Sequence, residues 1–156
     1  MRRIKVLSLI RLMFIGEYTH NIDNKKRLAV PSKFRKELGE RAILTKGLDN
    51  CLFIYPEQEW KNLAQKLAQL SVGQANARNF MRLILSGAVE VAFDNLGRIL
   101  VPDYLKNYAG LKKKIVIAGV LNRLEVWDQE TWESSRKEIE KNNEAIAEKL
   151  GELGLI

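Results

Sequence analysis

The chain carries nearly the same phrase twice. Residues 23–31 read DNKKRLAVP and residues 94–102 read DNLGRILVP, with five of the nine positions identical. The identical pairs, each 71 residues apart, are Asp23 with Asp94, Asn24 with Asn95, Arg27 with Arg98, Val30 with Val101, and Pro31 with Pro102. Because charged and turn-forming residues rarely recur at one fixed offset by chance, the sequence predicts an internal repeat.

The repeat continues beyond this phrase. Residues 47–60 (GLDNCLFIYPEQEW) align with residues 119–132 (GVLNRLEVWDQETW) at an offset of 72. The change of offset predicts a one-residue insertion in the second copy, between Pro102 and Gly119, and an insertion belongs in a loop. Each copy alone is near the lower size limit for a self-sufficient core, so we expect both to fold as one pseudo-symmetric body.

Each copy predicts the same order of elements. In the first copy, residues 14–22 have strand character and residues 23–24 open a turn, because short Asp and Asn side chains bond nearby backbone amides. Arg27 leads into a short strand over residues 28–30, and a short helix follows Pro31 and ends at Gly39. A hairpin and an amphipathic helix complete the copy.

The second copy repeats this order, and a helix over residues 74–86 joins the two. Asp128 is suited to the N-cap of the last predicted helix. The predicted organisation is an upstream extension (1–12), a first repeat with its following helix (13–72), a connecting helix (73–87), a second repeat (88–132), and a C-terminal helix and tail (133–156).

Positive charge is concentrated at the N-terminal end. Of a formal net charge of +7, residues 1–36 contribute +8 and the remaining residues −1. A concentrated basic patch is suited to bind a polyanion, above all a nucleic acid. Residues 1–12, however, have no counterpart in the second copy, and Met13 directly precedes a strand-like stretch, so Met13 is the expected natural start. Without those residues the net charge is +3, so the nucleic-acid argument depends on the repeat.

The repeated Asp-x-x-x-Arg string has two interpretations. In the first, Asp23 and Asp94 bond within their turns or to the arginines, and only hold a hairpin together. In the second, the guanidinium groups of Arg27 and Arg98 project outward, where their planar fork suits phosphate oxygens or a guanine edge. Duplication favours a binding role, because two equivalent units imitate a symmetric dimer that offers one recognition turn twice.

The sequence gives little support for catalysis. His20 is the only histidine and Cys51 the only cysteine, so neither a nucleophile–base pair nor a typical zinc site is predicted. There is no Gly-rich phosphate loop and no apolar run long enough for a membrane span. We therefore expect no catalytic residue, metal, cofactor, small-molecule substrate or membrane partner, and the lone cysteine fits a reducing cytoplasm.

A protein-interaction module is the serious alternative. In this hypothesis the paired hairpins and acidic helices only assemble the protein or hold a partner. Residues 128–156 carry a net charge of −4, so that end would avoid DNA and could face another protein. Salt-dependent DNA affinity separates the two hypotheses.

The phrase also resembles a known motif. Asp-x-x-x-Arg followed by a short strand, a proline and a helix is similar to the AbrB-type swapped-hairpin DNA-binding motif. Two copies, opened by MFIGEY at Met13 and carrying IYPEQEW and LEVWDQETW, resemble the MraZ family from Met13 to about Trp132. The resemblance implies an α+β fold, in which two pseudo-symmetric AbrB-like β-hairpin units form a β-barrel-like core with helices packed outside.

The resemblance also implies a function. Members of that family are bacterial transcriptional regulators that bind direct repeats upstream of the division and cell wall gene cluster and assemble as rings. We accordingly expect sequence-specific binding of double-stranded DNA by a ring-like homo-oligomer that is cytoplasmic and associated with the nucleoid. The implied DNA-binding residues are Arg27, Arg98, Lys25 and Lys26, and the implied turn-shaping residues are Asp23, Asp94, Asn24, Asn95 and Gly97.

The first turn departs from the family pattern. Lys26 stands before Arg27, where the family usually has glycine, whereas Gly97 keeps the pattern before Arg98. A lysine there is strained if the turn needs a positive φ, and it could instead add a phosphate contact. The sequence therefore leaves the equivalence of the two turns open.

Overall fold

The computed structural model describes residues 13–156, so the expected extension over residues 1–12 lies outside the described part. The fold is α+β, as expected. Its strands are β1 (Phe14–Asn21), β2 (Arg27–Ala29), β3 (Arg41–Lys46), β4 (Leu52–Pro56), β5 (Val89–Ala92), β6 (Arg98–Leu100), β7 (Lys114–Leu121) and β8 (Leu124–Asp128). Its helices are α1 (Ser32–Leu38), α2 (Glu57–Ala68), α3 (Ala75–Ser86), α4 (Asp103–Tyr108), α5 (Gln129–Lys141) and α6 (Asn143–Glu152).

The main sheet mixes the two copies. Its strand order is β1-β7-β8-β4-β3-β5, and all neighbours are antiparallel. The first strand of each copy pairs with the third strand of the other, because β1 lies against β7 and β5 against β3. Since β1 and β5 end this sheet, the barrel-like core expected from the sequence is not closed among the described strands.

A second, two-stranded sheet pairs β2 with β6. In its register Arg27 lies opposite Leu100, Leu28 opposite Ile99, and Ala29 opposite Arg98. This register is unchanged when the copies are exchanged, so a pseudo-twofold axis passes through the pair formed by Leu28 and Ile99. Both side chains are fully buried, at 0% and 1% exposure. Because β2 and β6 are antiparallel, the turn that precedes β2 lies beside the end of β6, and the turn that precedes β6 lies beside the end of β2.

The strand register shows that the insertion in the second copy is larger than the sequence alignment predicted. Asn21 of β1 pairs with Lys114, and Ala92, which matches Asn21 at the 71-residue offset, pairs with Arg41. Lys114 is therefore the structural counterpart of Arg41, at an offset of 73. The second copy has two extra residues before its third strand, where the sequence alignment predicted one. They lie in the loop between α4 and β7.

The hairpin connection that follows the third strand also differs in length between the two copies. Lys46 pairs with Leu52 across the β3–β4 hairpin, and Gly119 pairs with Leu124 across the β7–β8 hairpin. Gly119 thus corresponds in structure to Lys46, and its alignment with Gly47 in the sequence is wrong by one residue. The second hairpin connection is one residue shorter than the first, which restores the net offset of 72.

Hydrophobic side chains cover both faces of the main sheet. On one face, β2, β6, α1 and α4 close a core that includes Leu28, Phe34, Ile99 and Leu105. Phe34 and Leu38 are the buried residues of α1. On the other face a smaller cluster contains Phe53, Tyr55 and Trp127, with Trp60, Leu63 and Trp132 packed against it from α2 and α5. The sheet is therefore sandwiched, and the turns emerge from its α1/α4 side.

The C-terminal region differs from expectation in two details. Asp128 stands at the N-cap position of α5, but its side chain makes no capping bond, and its Oδ1 instead accepts a hydrogen bond from the Lys112 amide at 3.0 Å. The expected single helix is two, α5 and α6, separated at Asn142. Neither helix has a buried residue. Within residues 13–156, no helix is long and apolar enough to cross a membrane.

Candidate nucleic-acid interface

The two repeated turns have the same hydrogen-bond pattern. Asp23 Oδ1 accepts hydrogen bonds from the backbone amides of Lys25 and Arg27, both at 2.9 Å. Asp94 Oδ1 accepts the equivalent bonds from Leu96 and Arg98, also at 2.9 Å. These bonds fix the backbone ahead of β2 and β6, because a short carboxylate can satisfy amides that the turn leaves unpaired. We call residues 23–27 turn 1 and residues 94–98 turn 2.

Each turn also fixes its arginine. Arg27 Nε donates to Asp23 Oδ2 at 2.8 Å, and Arg98 Nε donates to Asp94 Oδ2 at 2.8 Å. The two side chains keep 34% and 24% of their surface exposed. The guanidinium groups thus do not simply project outward. They are tied back at Nε, which orients the terminal amino groups of the fork.

The carboxylates of both turns are stabilised in the ionised form. The pKa of Asp23 lies below its ordinary value of 3.8, first because the Arg27 amide donates to it and further because of the Arg27 guanidinium. The pKa of Asp94 is lowered in the same way by the amide and guanidinium of Arg98. Partial desolvation opposes both shifts. At neutral pH each arginine therefore keeps a charged partner.

The remaining turn residues show where the copies differ. Lys26 has φ 62° and Gly97 has φ 73°, so both turns require the left-handed region at this position. Asn24 and Asn95 are exposed at the tips of their turns. Lys25 is exposed in turn 1, and the exposed residue at the same position of turn 2 is Leu96. Turn 1 therefore adopts, with a lysine, a conformation that favours glycine.

The turns interlock across the pseudo-twofold axis. The Val30 amide donates to the Gly97 carbonyl at 3.0 Å, and the Val101 amide donates to the Lys26 carbonyl at 2.8 Å. Lys26 Nζ also lies 2.6 Å from Asp103 Oδ2 at the start of α4. A Cβ atom on Gly97 would overlap the Arg35 guanidinium of α1. Each turn is thus supported by the other copy. The two arginines lie diagonally across the β2–β6 pair, since Arg27 is opposite Leu100 and Arg98 is opposite Ala29.

The structure adds basic residues that the sequence analysis did not single out. Lys106, Lys112 and Lys113 line a cleft of about 360 Å³ together with residues of turn 1. Lys106 is in the last turn of α4, and the other two lie in the loop that leads to β7. The run of three lysines at 112–114 was the available signal. This run alone did not identify a binding residue, because the sequence does not show that the loop lies against turn 1.

The other residues considered in the sequence lie apart from the turns. His20 is half-buried on β1. Cys51 is fully buried directly before β4, and its thiol donates to the Leu48 carbonyl at 3.1 Å. Burial raises the pKa of this thiol above its usual range, so at neutral pH it is protonated and has little nucleophilic character.

Comparison with known proteins agrees with the repeat. The family model of the MraZ protein matches residues 13–83 and matches a second time over residues 84–152.

The chain belongs to the MraZ family.

Relatives within this family cover nearly the whole chain. A protein of Clostridium tetani named transcriptional regulator MraZ is 51% identical over 143 residues, which is 92% of this chain and 100% of the relative. The protein of the same name from Clostridium acetobutylicum is 51% identical over 144 residues, again 92% of this chain and 100% of the relative. A third, from Caldicellulosiruptor saccharolyticus, is 49% identical over 143 residues, with the same coverage of both chains.

Proposed function

We propose that this protein is a sequence-specific DNA-binding transcriptional regulator that contacts double-stranded DNA through turns 1 and 2. One observation carries the proposal: Arg27 and Arg98 lie diagonally across one pair of strands, each bonded at Nε to the aspartate of its own turn. The MraZ relatives are named transcriptional regulators, which supports the same function.

The geometry suits DNA recognition without catalysis. With Nε bound to a carboxylate, the guanidinium plane of Arg27 or Arg98 is oriented before DNA arrives, so less side-chain freedom is lost on binding. The terminal amino groups can then donate to guanine O6 and N7 or to a phosphate. Lys25 and Lys26 add phosphate contacts beside the first arginine. The function requires no cofactor, metal or small-molecule substrate.

The finer features of the proposal come from the family resemblance. We infer that the operator consists of direct repeats upstream of the division and cell wall gene cluster, and that the protein acts at the nucleoid as a ring-like homo-oligomer. Helices α5 and α6 support assembly, because they have no buried residue and yet expose apolar side chains at Ile139 and Ile146, with Leu153 exposed directly after α6. Such side chains are suited to contact a second copy.

A non-catalytic interaction or assembly module is the second candidate function. The same exposed apolar residues favour it, together with the net charge of −4 over residues 128–156. In this case the turns would only support the fold. The two candidates make opposite predictions for DNA.

A footprint and a salt titration on the protein's own upstream DNA test the proposal. We expect protection of a repeated sequence, an affinity that falls as salt rises, and weaker binding to a shuffled duplex of the same composition. Light scattering in the same buffer is expected to give a mass several times the 17.9 kDa of one chain. Equal, weak binding to both duplexes would favour the interaction module, and a stable monomer at micromolar concentration would exclude the ring.

A further inference from the structure

The two turns and the residues beside them differ in charge. Four positions in or beside turn 1 hold lysine, and their structural counterparts in or beside turn 2 are Gly97 for Lys26, Arg35 for Lys106, Gly39 for Lys112, and Glu40 for Lys113. The four positions sum to +4 beside turn 1 and to zero beside turn 2. The backbone is therefore pseudo-symmetric, but the electrostatic potential around the two turns is not.

The extra lysines converge on one cleft. The cleft of about 360 Å³ is lined by Ile22, Asp23, Asn24, Lys26, Lys106, Lys112 and Lys113. The loop that carries Lys113 is fixed against turn 1, because the Ile22 amide donates to the Lys113 carbonyl at 2.9 Å. Lys113 also directly precedes Lys114, which pairs with Asn21 at the end of β1.

Carboxylates near the cleft neutralise only part of its charge. Asp23 is the one carboxylate in the lining, and it is already bonded to Arg27. Lys26 pairs with Asp103, and Lys112 Nζ lies 3.4 Å from Glu130 Oε2, but all four of these side chains are at least 40% exposed. Among residues 13–156, Lys106 and Lys113 form no ion pair. The cleft thus retains positive charge at short range.

We propose that this lysine cleft binds a backbone phosphate of the DNA, adjacent to the contact made by turn 1, and that turn 2 lacks such a site. The inference rests on the proposed DNA-binding function. Ammonium groups on flexible stems suit phosphate as point charges and carry no base information. Turn 1 then anchors the backbone, and turn 2 contributes a larger share of its binding through sequence-dependent contacts.

The test removes the two unpaired lysines. The double variant Lys106→Gln, Lys113→Gln is compared with a matched control, Lys66→Gln, Lys141→Gln, whose exposed lysines end α2 and α5 far from the turns. Affinity for the operator and for a shuffled duplex is measured across a salt series, with oligomer mass and melting temperature as controls for folding. Since each phosphate contact contributes about 0.9 to the salt slope, we expect the cleft variant, which loses one contact, to lose about 1 and the control to remain unchanged.

Specificity provides the second readout. A backbone site weakens binding to both duplexes alike, so the ratio of operator to shuffled affinity is expected to stay within about twofold of the starting protein. A gain variant, Glu40→Lys, places a lysine beside turn 2 and is expected to steepen the slope by about 1.

The outcomes separate this inference from the proposed function. If Arg98→Ala weakens operator binding but the cleft variant has the same salt slope as the control, the phosphate cleft is wrong and DNA binding stands. If the unmodified protein shows no salt-dependent DNA binding, the proposed function fails and the cleft fails with it.

Discussion

The guanidinium of Arg98 extends past its own turn to Asp23, with Nη1 3.7 Å from Asp23 Oδ2. The same oxygen accepts the hydrogen bond from Arg27 Nε at 2.8 Å. Asp23 therefore contacts the arginines of both turns. Among the described residues, the ion pair of Asp94 is with Arg98 only. One carboxylate couples the two proposed DNA-binding side chains, and this coupling is not symmetric.

That coupling predicts unequal effects for Asp23→Asn and Asp94→Asn. Both variants keep an oxygen for the backbone amides, but each loses the negative charge that orients an arginine. Asp23→Asn loosens Arg27 and also removes the second charged contact of Arg98, which keeps its bond to Asp94, so we expect the larger fall in the ratio of operator to shuffled DNA affinity. Binding to shuffled DNA should not weaken, because either change removes a negative charge. Competition gel shifts measure the ratio, and a greater loss in Asp94→Asn would contradict the assignment.

The arginines themselves give the most direct test. Arg27→Ala and Arg98→Ala are each expected to weaken operator binding with the fold intact, by about 1 to 3 kcal/mol per site if the contact is to a base. If the contact is to phosphate, affinity should fall alike for all sequences and the salt slope should shrink by about 1. Titration of both variants against operator and shuffled DNA distinguishes these cases.

The two single variants should also differ from each other. Turn 1 keeps Lys25 and Lys26 when Arg27 is lost, whereas turn 2 has Leu96 and Gly97 in those places. Arg27→Ala is therefore expected to retain more non-specific binding than Arg98→Ala. Normal sequence-specific binding by the double variant would refute both as DNA contacts and favour the interaction module.

Local elements were largely predictable from the sequence, because each has a local signal. Asp23 and Asp94 identify the turns, and Pro31 and Gly39 bracket α1. Strand partners have no such signal. Nothing in the pattern of β1 distinguishes β7 from β3 as its neighbour, so the exchange between copies was visible only in the register.

The candidate site was predictable in part for the same reason. Asp23, Arg27, Asp94 and Arg98 belong to a repeated string, and the structure brings them together. Lys113 is distant from turn 1 in sequence, and its place depends on the exchanged pairing and on a loop length that sequence alignment misjudged by one residue. Sequence patterns also did not predict the hydrogen-bond partners of individual side chains. Asp128, for example, accepts a hydrogen bond from the Lys112 amide and makes no capping bond to its own helix.

Acid titration should reveal the carboxylates of the turns. Because the pKa values of Asp23 and Asp94 are lowered in the folded protein, the stability that these groups contribute is fully present above their ordinary value of 3.8. It is lost as the pH falls through the lower folded values. NMR titration of the side-chain carboxyl carbons is expected to give midpoints below 3.8 for both residues. A midpoint at or above that value would show that the turn bonds do not persist in solution.

The N-terminal extension gives a further prediction. Deleting residues 1–12 is expected to leave the free energy of unfolding and the oligomer mass unchanged, because the repeat begins at Met13. The deletion removes Arg2, Arg3, Lys5 and Arg11, so binding to shuffled DNA should weaken while the preference for the operator stays. Denaturant unfolding and the competition assay measure these effects. A deletion variant that fails to fold would place the extension in the core.

Lys26 tests whether turn 1 is strained. Its φ of 62° costs a non-glycine residue about 1 to 2 kcal/mol, and its ion pair with Asp103 is exposed and contributes at most about 1 kcal/mol. Lys26→Ala loses the ion pair and keeps the strain, whereas Lys26→Gly loses the ion pair and relieves the strain. Lys26→Gly is therefore expected to be more stable than Lys26→Ala by about 1 kcal/mol in denaturant unfolding.

Turn 2 should show the reverse. Gly97 has φ 73°, and a Cβ atom there would overlap the Arg35 guanidinium. Gly97→Ala is therefore expected to destabilise the protein by about 1 to 2 kcal/mol, the cost of the backbone conformation, because the flexible end of Arg35 can shift away from the added Cβ atom. Comparing Arg35→Ala with Arg35→Ala, Gly97→Ala checks this, since the cost of the added Cβ atom should be the same without the guanidinium. If Gly97→Ala is as stable as the starting protein, the left-handed conformation of the turns is wrong.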